Sequence, residues 1–351
     1  MRQVLFEVWL KQPWAGWTPQ QEGAELLGAG WVVLLLGLLY EAYQFFTGHK
    51  KEVLAASSWG TFLGILLGVT LVGPNLPIDR FPIFGYGVMV LIGFLFAIAF
   101  AQYRSKQVGQ DPEIITDLAF WILVCGIAGG RIAYLVQYRS ELMASSKDIS
   151  QLLFNAVNLS NGGLVLIGAM FGAAIGFFSF CHIRKIPPLP LVDIITPSIF
   201  IGVGFGRIGC LLNGCCFGDR CDLPWGICFP HGSTTFDVLA IRGFVEPTAP
   251  YTMPLHPTQV YSSINGFVLA LVTAQMYWYR RHPGDTFALG CILYPMTRIL
   301  LEFIRADEMG QFGTSFTISQ WYSVGILCFG IGLLLRNRWQ HAGNSSPSAA
   351  S

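Results

Sequence analysis

The chain has 351 residues, 53% of them hydrophobic and 12% charged, with 21 Lys and Arg against 20 Asp and Glu. A soluble globular protein carries roughly 25% charged residues. A cytosolic enzyme, a nucleic-acid binder with a basic face and a disordered scaffold are therefore excluded, and a polytopic membrane protein remains.

The stretch from Met1 to Glu25 sets Trp9, Trp14 and Trp17 among polar residues and lacks the apolar centre of a cleavable signal; it reads as an interfacial segment. Apolar runs of ~17–25 residues then predict nine spans, over 26–46, 55–74, 81–102, 114–136, 161–181, 191–212, 259–279, 286–304 and 318–335. The expected fold class is an all-α transmembrane helical bundle. No internal repeat is visible, which disfavours an inverted-repeat transporter; Pro197 and Pro295 are the mid-span breaks that speak for one.

Lys and Arg set the orientation. With the C-terminus cytoplasmic, every inner segment carries a basic pair: Lys50/Lys51, Arg104/Lys106, Arg184/Lys185, Arg280/Arg281 and Arg336/Arg338. The longer outer segments hold Arg2, Lys11, Arg80, Arg139, Lys147, Arg220, Arg242 and Arg305, a density about threefold lower. An odd number of spans then places the N-terminus outside.

Three arginines, Arg131, Arg207 and Arg298, remain inside predicted spans, where each costs at least ~2.5–3.5 kcal/mol on insertion scales. At ~1.5 Å per residue they lie about 26, 24 and 18 Å above the inner ends of their spans, and Tyr86 about 8 Å below the outer end of its own. All four fall in the outer half of a core ~30 Å thick, which suggests a polar cavity opening toward the outer leaflet. The arginine fork matches phosphate oxygens, so a phosphate-bearing lipid headgroup is the candidate occupant. Alternatives stand beside this reading. Glu302 follows Arg298 by four residues and is placed to pair with it, and Arg131 near a span end is placed to snorkel. Tyr294, four residues before Arg298, either serves the same cavity or packs as an aromatic.

Gly204-Phe205-Gly206-Arg207-Ile208-Gly209 spells a dinucleotide-binding pattern, but it lies inside a span and lacks the strand that pattern requires. Gly202 and Gly206, and the row Gly168, Gly172 and Gly176, read as helix-packing positions. Five cysteines (Cys210, Cys215, Cys216, Cys221 and Cys228) crowd one outer stretch. Their spacing matches no common zinc pattern, so no metal or cofactor is expected. Disulfides are admissible outside, with connectivity open.

Taken together, several segments resemble one family, the prolipoprotein diacylglyceryl transferases. They are Tyr86-Gly87; Gly129-Gly130-Arg131-Ile132 with Tyr134; Gly162-Gly163; and Gly206 to Gly214 followed by Gly218 and Asp222-Leu223-Pro224-Trp225. His256-Pro257-Thr258-Gln259-Val260-Tyr261, Tyr294 with Arg298, Glu302-Phe303-Ile304-Arg305 and Ser319-Gln320 complete the series. The resemblance runs in order from Phe81 to Arg336 and covers seven spans. It leaves 1–80 as an N-terminal extension with two added spans, 213–258 as an extracytoplasmic loop and 337–351 as a polar cytoplasmic tail.

The resemblance implies an enzyme of the bacterial cytoplasmic (inner) membrane that transfers the diacylglyceryl group of phosphatidylglycerol to the lipobox cysteine of a preprolipoprotein. A thioether forms and glycerol phosphate leaves. By the same resemblance Arg207, Arg298, Tyr294, Tyr86 and Asn213 are candidate catalytic residues, and Arg207, Arg131, Gly218 and His256 candidate substrate-binding ones. The bilayer, the lipid and the lipobox peptide are the expected partners, with no nucleic acid. The sequence departs from the family pattern at Ile167, where a His or Tyr is usual, and at Cys210 and Cys215, which replace Asn and Glu. These departures keep a second reading open, a non-catalytic lipid-binding or membrane-assembly paralogue.

Overall fold

The computed structural model describes residues 4–12, 14, 25–36, 56–75, 80–145, 148, 163–305 and 316–344. Among these described residues five helices are long and apolar enough to cross a membrane: Gly85–Gln107, Glu113–Gln137, Leu166–Arg184, Pro188–Asn213 and Ile318–Gln340. Helices Ala56–Val72, Thr258–Met276 and Asp285–Glu302 occupy three more of the predicted spans. The first predicted span, 26–46, starts in a strand over 26–28 and is helical over 29–36; 37–46 lies outside the described residues. We label the helices α1 (Ala56–Val72), α2 (Gly85–Gln107), α3 (Glu113–Gln137), α4 (Arg139–Ser145), α5 (Leu166–Arg184), α6 (Pro188–Asn213), α7 (Thr234–Ile241), α8 (Thr258–Met276), α9 (Asp285–Glu302) and α10 (Ile318–Asn344).

The all-α expectation needs one correction. Val4–Trp9 (β1) pairs in parallel with Glu25–Gly28 (β2) and antiparallel with Arg80–Phe84 (β3), giving a sheet of order β2-β1-β3. Arg80 and Glu7 form an ion pair within it, at 3.6 Å. A search for long apolar runs passes over six-residue strands such as Val-Leu-Phe-Glu-Val-Trp, whose β-branched and aromatic residues suit a pleated surface.

The chain divides into two compact units. One gathers Met1–Ile92, Phe205–Ser263 and Ile304–Met309; the other gathers Gly93–Gly204, Ile264–Phe303 and Gly310–Ser351.

In the second unit α3 and α5 pack along their lengths through glycine. A side chain added at Gly168 would strike Ala133 and the Gly129 carbonyl, one at Gly172 the Cys125 carbonyl, and one at Gly176 the Trp121 carbonyl and Cys125. These small residues let the two backbones approach closely, as in membrane helix pairs generally. Phe177 and Phe180 of α5 continue into a core with Leu118 of α3 and Leu191 and Ile194 of α6. The sequence expectation fails for Gly202 and Gly206, whose Cβ positions face open space. Gly204 is the packed residue, against the Phe267 ring and Gly266 of α8. Spacing marks an i,i+4 glycine pair, but helix rotation decides which glycine meets a neighbour.

The start of α9 is held from α6. The Asp193 carboxylate, fully buried, accepts from the backbone N–H groups of Gly284 (2.7 Å) and Phe287 (2.9 Å) and pairs with Arg280 at 2.8 Å. This supplies partners for amides that a helix N-terminus leaves unsatisfied. Arg104, counted above among the inner-face charges, is 4% exposed. It donates to the Ala274 carbonyl at 3.1 Å and lies 4.6 Å from the Tyr277 ring, on which Arg280 also stacks.

In the first unit the loop after α6 has its own small core of Phe217, Phe229, Leu239 and Leu255. Its helix α7 is capped by Ser233, whose hydroxyl accepts from the Phe236 N–H.

Candidate active site

The residues singled out by sequence fall into two groups. Tyr86, Arg207, Asn213, Gly218 and His256 belong to the first unit, and Arg131, Tyr294 and Arg298 to the second.

In the first unit the candidate residues gather where α6 ends. Arg207 and Cys210 are three apart and share a helix face. Gly209 leaves room for Tyr86, whose ring would stand 3.0 Å from a Cβ at that position. The Tyr86 hydroxyl, the thiols of Cys210, Cys215 and Cys216, and the Arg207 guanidinium lie within electrostatic range of one another. Asn213, the last residue of α6, bonds through its side chain to Cys215. Gly218 follows with its backbone against His256: its N–H donates to the His256 carbonyl at 3.1 Å, and a Cβ there would meet the His256 Cβ at 2.6 Å. Gly218 is thus a close-approach position. The His256 ring faces the Tyr261 hydroxyl at 3.4 Å, and that hydroxyl accepts from the Trp225 indole at 2.7 Å.

The structure adds a residue that sequence reasoning had placed among the outer charges. Arg305 bridges to Gly218 through its backbone and bears, with Arg207, on the Cys216 thiol. Cys216 is held well below the ordinary thiol range, first by hydrogen bonds from the Cys210 and Cys215 thiols and then by these two arginines, against the opposing effect of burial. In sequence Arg305 was visible only as one of the outer charges and as the end of the Glu302-to-Arg305 run.

In the second unit Arg131, 9% exposed, does not snorkel. Its Nη1 donates to the Gly163 carbonyl at 3.0 Å, and its guanidinium lies 5.0 Å from the Tyr134 ring. Gly163 has φ +85°, and a Cβ there would stand 2.7 Å from both the Arg131 Nη1 and the Tyr134 ring. Gly163→Ala is therefore strained twice. We expect it to lower stability by about 1–3 kcal/mol and displace Arg131, measurable as a lower melting temperature in detergent; an unchanged melting temperature would show that Arg131 is not held this way.

Arg298, 8% exposed, forms the ion pair with Glu302 that the sequence offered as an alternative. Glu302 also accepts from the Thr317 hydroxyl at 2.8 Å, and the Gln320 side chain accepts from the Thr317 N–H at 3.0 Å. Tyr294 packs its ring 6.0 Å from Phe200, so the aromatic-packing reading also holds for it. Ile167 stands in the first turn of α5, partly exposed and without a titratable group.

A mostly helical membrane protein with buried arginines and a polar end to α6 is the class these features define. Residues 75–336 match the family model described as prolipoprotein diacylglyceryl transferase. The chain is similar to a phosphatidylglycerol–prolipoprotein diacylglyceryl transferase of Clostridium tetani, 34% identical over 71% of this chain and 91% of the relative. It is 33% identical to transferase 2 of Clostridium perfringens, over 73% and 91%. A Rhodopirellula baltica enzyme of the same name is 24% identical over 99% of this chain and 91% of its own, so that likeness reaches ahead of residue 75. The chain belongs to the prolipoprotein diacylglyceryl transferase family.

Proposed function

We propose that this protein transfers the diacylglyceryl group of phosphatidylglycerol to the lipobox cysteine of a preprolipoprotein, at the outer half of a bacterial cytoplasmic membrane. The observation that carries the reading is that Arg207 and Arg305 both lie within electrostatic range of Cys216, just beyond the end of α6, in a chain whose relatives bear the transferase name.

In the reaction the cysteine sulfur bonds to the glyceryl carbon that carries the phosphate ester. The carbon–oxygen bond breaks, and its electron pair leaves on glycerol phosphate. The thiol proton passes to the surroundings before or during attack. A phosphodiester monoanion thereby becomes a phosphomonoester dianion, so negative charge grows on the phosphate oxygens. Guanidinium groups already in place at those oxygens stabilise that growth without reorganising. The same positive field favours the nucleophile as thiolate, which bears on a site where Ile167 supplies no base. Tyr86 and Asn213 stand beside Arg207 in roles of orienting the headgroup. The family resemblance also offers Tyr294 and Arg298 as catalytic candidates, and Arg131, Gly218 and His256 as substrate-binding ones. The paralogue alternative is not favoured.

The test supplies purified protein with phosphatidylglycerol and a lipobox peptide. Mass spectrometry is expected to find the diacylglyceryl adduct on the cysteine. Well-folded protein that forms no adduct across varied lipid mixtures would overturn the proposal.

The arrangement of spans belongs to the same proposal: nine crossings, two of them in the 1–80 extension, with the N-terminus outside and the 337–351 tail in the cytoplasm. The basic pairs of the inner segments support it. Cys228 is exposed on the loop after α6. A thiol reagent that cannot cross the membrane is expected to label it in intact spheroplasts; labelling that requires permeabilisation would invert the topology.

A further inference from the structure

The first unit holds a cluster that the proposed reaction leaves unused. The sulfur atoms of Cys210, Cys215 and Cys216 all lie within 4.8 Å of one another, each partly buried. The backbone builds this convergence. Cys210 sits in the last turn of α6, and Gly214 (φ +67°) and Cys216 (φ +60°) turn the chain back over the helix end. The Cys215 N–H donates to the Cys210 carbonyl at 3.1 Å, and the Cys215 sulfur lies 3.7 Å from the same oxygen.

Cys216 keeps a left-handed conformation unusual outside glycine because the turn is pinned. Gln259 donates to the Cys215 carbonyl at 2.7 Å and Thr258 to the Cys216 carbonyl at 2.8 Å. The Gly214 carbonyl accepts from the Thr235 N–H and hydroxyl, at 3.0 and 2.6 Å. Three consecutive carbonyls are thus held by side chains or backbone of other segments, while the thiols are directed together.

We infer that Cys210, Cys215 and Cys216 form a three-thiolate site for a soft, thiophilic metal ion of the zinc(II) or copper(I) type. Sulfurs bound to one ion at ~2.3 Å stand about 3.8–4.0 Å apart, so the observed spacing needs a contraction of less than about 1 Å. Thiolate donors select such ions over harder ones, and binding releases the thiol protons to solvent. Three thiolates around a divalent ion carry one net negative charge. Arg207 and Arg305, both in range of Cys216, offset it. Partial burial leaves the fourth zinc position to water, as in open three-ligand sites. The sequence pattern gave no sign of this, because the usual spacings describe knuckles and fingers, whereas here a helix end and a reversed turn bring the ligands round.

The protein would be purified in detergent without chelator, dialysed against zinc and then against metal-free buffer. Elemental analysis is expected to find one zinc per chain, and X-ray absorption at the zinc edge to find about three sulfur neighbours at ~2.3 Å. Cys215→Ser and Cys210→Ser are expected to lower zinc content at least tenfold with circular dichroism unchanged, and Cys228→Ser to leave it intact. Cys216→Asn, which tolerates the left-handed backbone, serves if Cys216→Ser fails to fold. Fewer than two sulfur neighbours, zinc retained in Cys215→Ser, or a disulfide among the three in unreduced protein would each overturn the inference. These readouts are independent of transfer activity, so their failure leaves the transferase reading untouched.

Discussion

Arg207→Ala is expected to lower the rate of adduct formation by about 100- to 1000-fold, with the fall in kcat rather than in KM for the lipid. The loss is largest in the rate because the phosphate gains its second negative charge on the way to the transition state, where a fixed guanidinium acts most strongly. Arg207→Lys keeps the charge but loses the planar two-pronged donor, and an intermediate rate is expected. Initial rates from mass spectrometry, compared with melting temperatures in the same detergent, separate chemistry from folding. A variant that melts like the parent and transfers at the parent rate would remove Arg207 from the site. Arg305→Ala is the companion measurement, since the structure sets both arginines on Cys216.

Glu302→Ala is expected to cost about 3–5 kcal/mol of stability, because it leaves Arg298 charged and buried without its carboxylate. Glu302 is 5% exposed and Arg298 8%, so solvent has little access with which to compensate. Glu302→Gln retains an acceptor for the Thr317 hydroxyl and is expected to cost less. A double replacement of Arg298 and Glu302 by Met is expected to recover much of the stability while abolishing whatever Arg298 contributes to lipid binding. Denaturation monitored by circular dichroism checks the series. A loss below about 1 kcal/mol for Glu302→Ala would place the pair among weak, solvated ion pairs. The series also bears on mechanism: Arg298 has a structural partner, so loss of activity in Arg298→Ala alone does not make it a catalytic residue.

Much of the candidate site was legible because membrane proteins carry few charges and each must be explained. Arg131, Arg207 and Arg298 stood out by being inside spans, whereas Gly163 entered only as part of the Gly162-Gly163 pair, its contact with Arg131 being made 32 residues away by the fold. Arg104 did not, since a charge near a predicted helix end reads as an inner-face residue; its burial depends on Tyr277 and the Ala274 carbonyl, 170 residues away. Arg305 was likewise hidden, because a positive charge beyond a span end is ordinary until the fold brings a thiol within its electrostatic range.

By itself, then, the sequence determined the class, the positions of the long apolar helices that were described (not the short α4 and α7), the family and the candidate arginines. These follow from composition, from apolar run length and from local spacing along one helix, all properties that survive without knowing any neighbour. Tertiary structure alone decided that Gly204 packs and Gly202 does not, that β1 finds strands 16 and 71 residues further along the chain, and that Cys210, Cys215 and Cys216 converge. Each of these depends on helix rotation or on chain reversal, and a linear pattern is the same for every rotation and every path the chain could take between its elements.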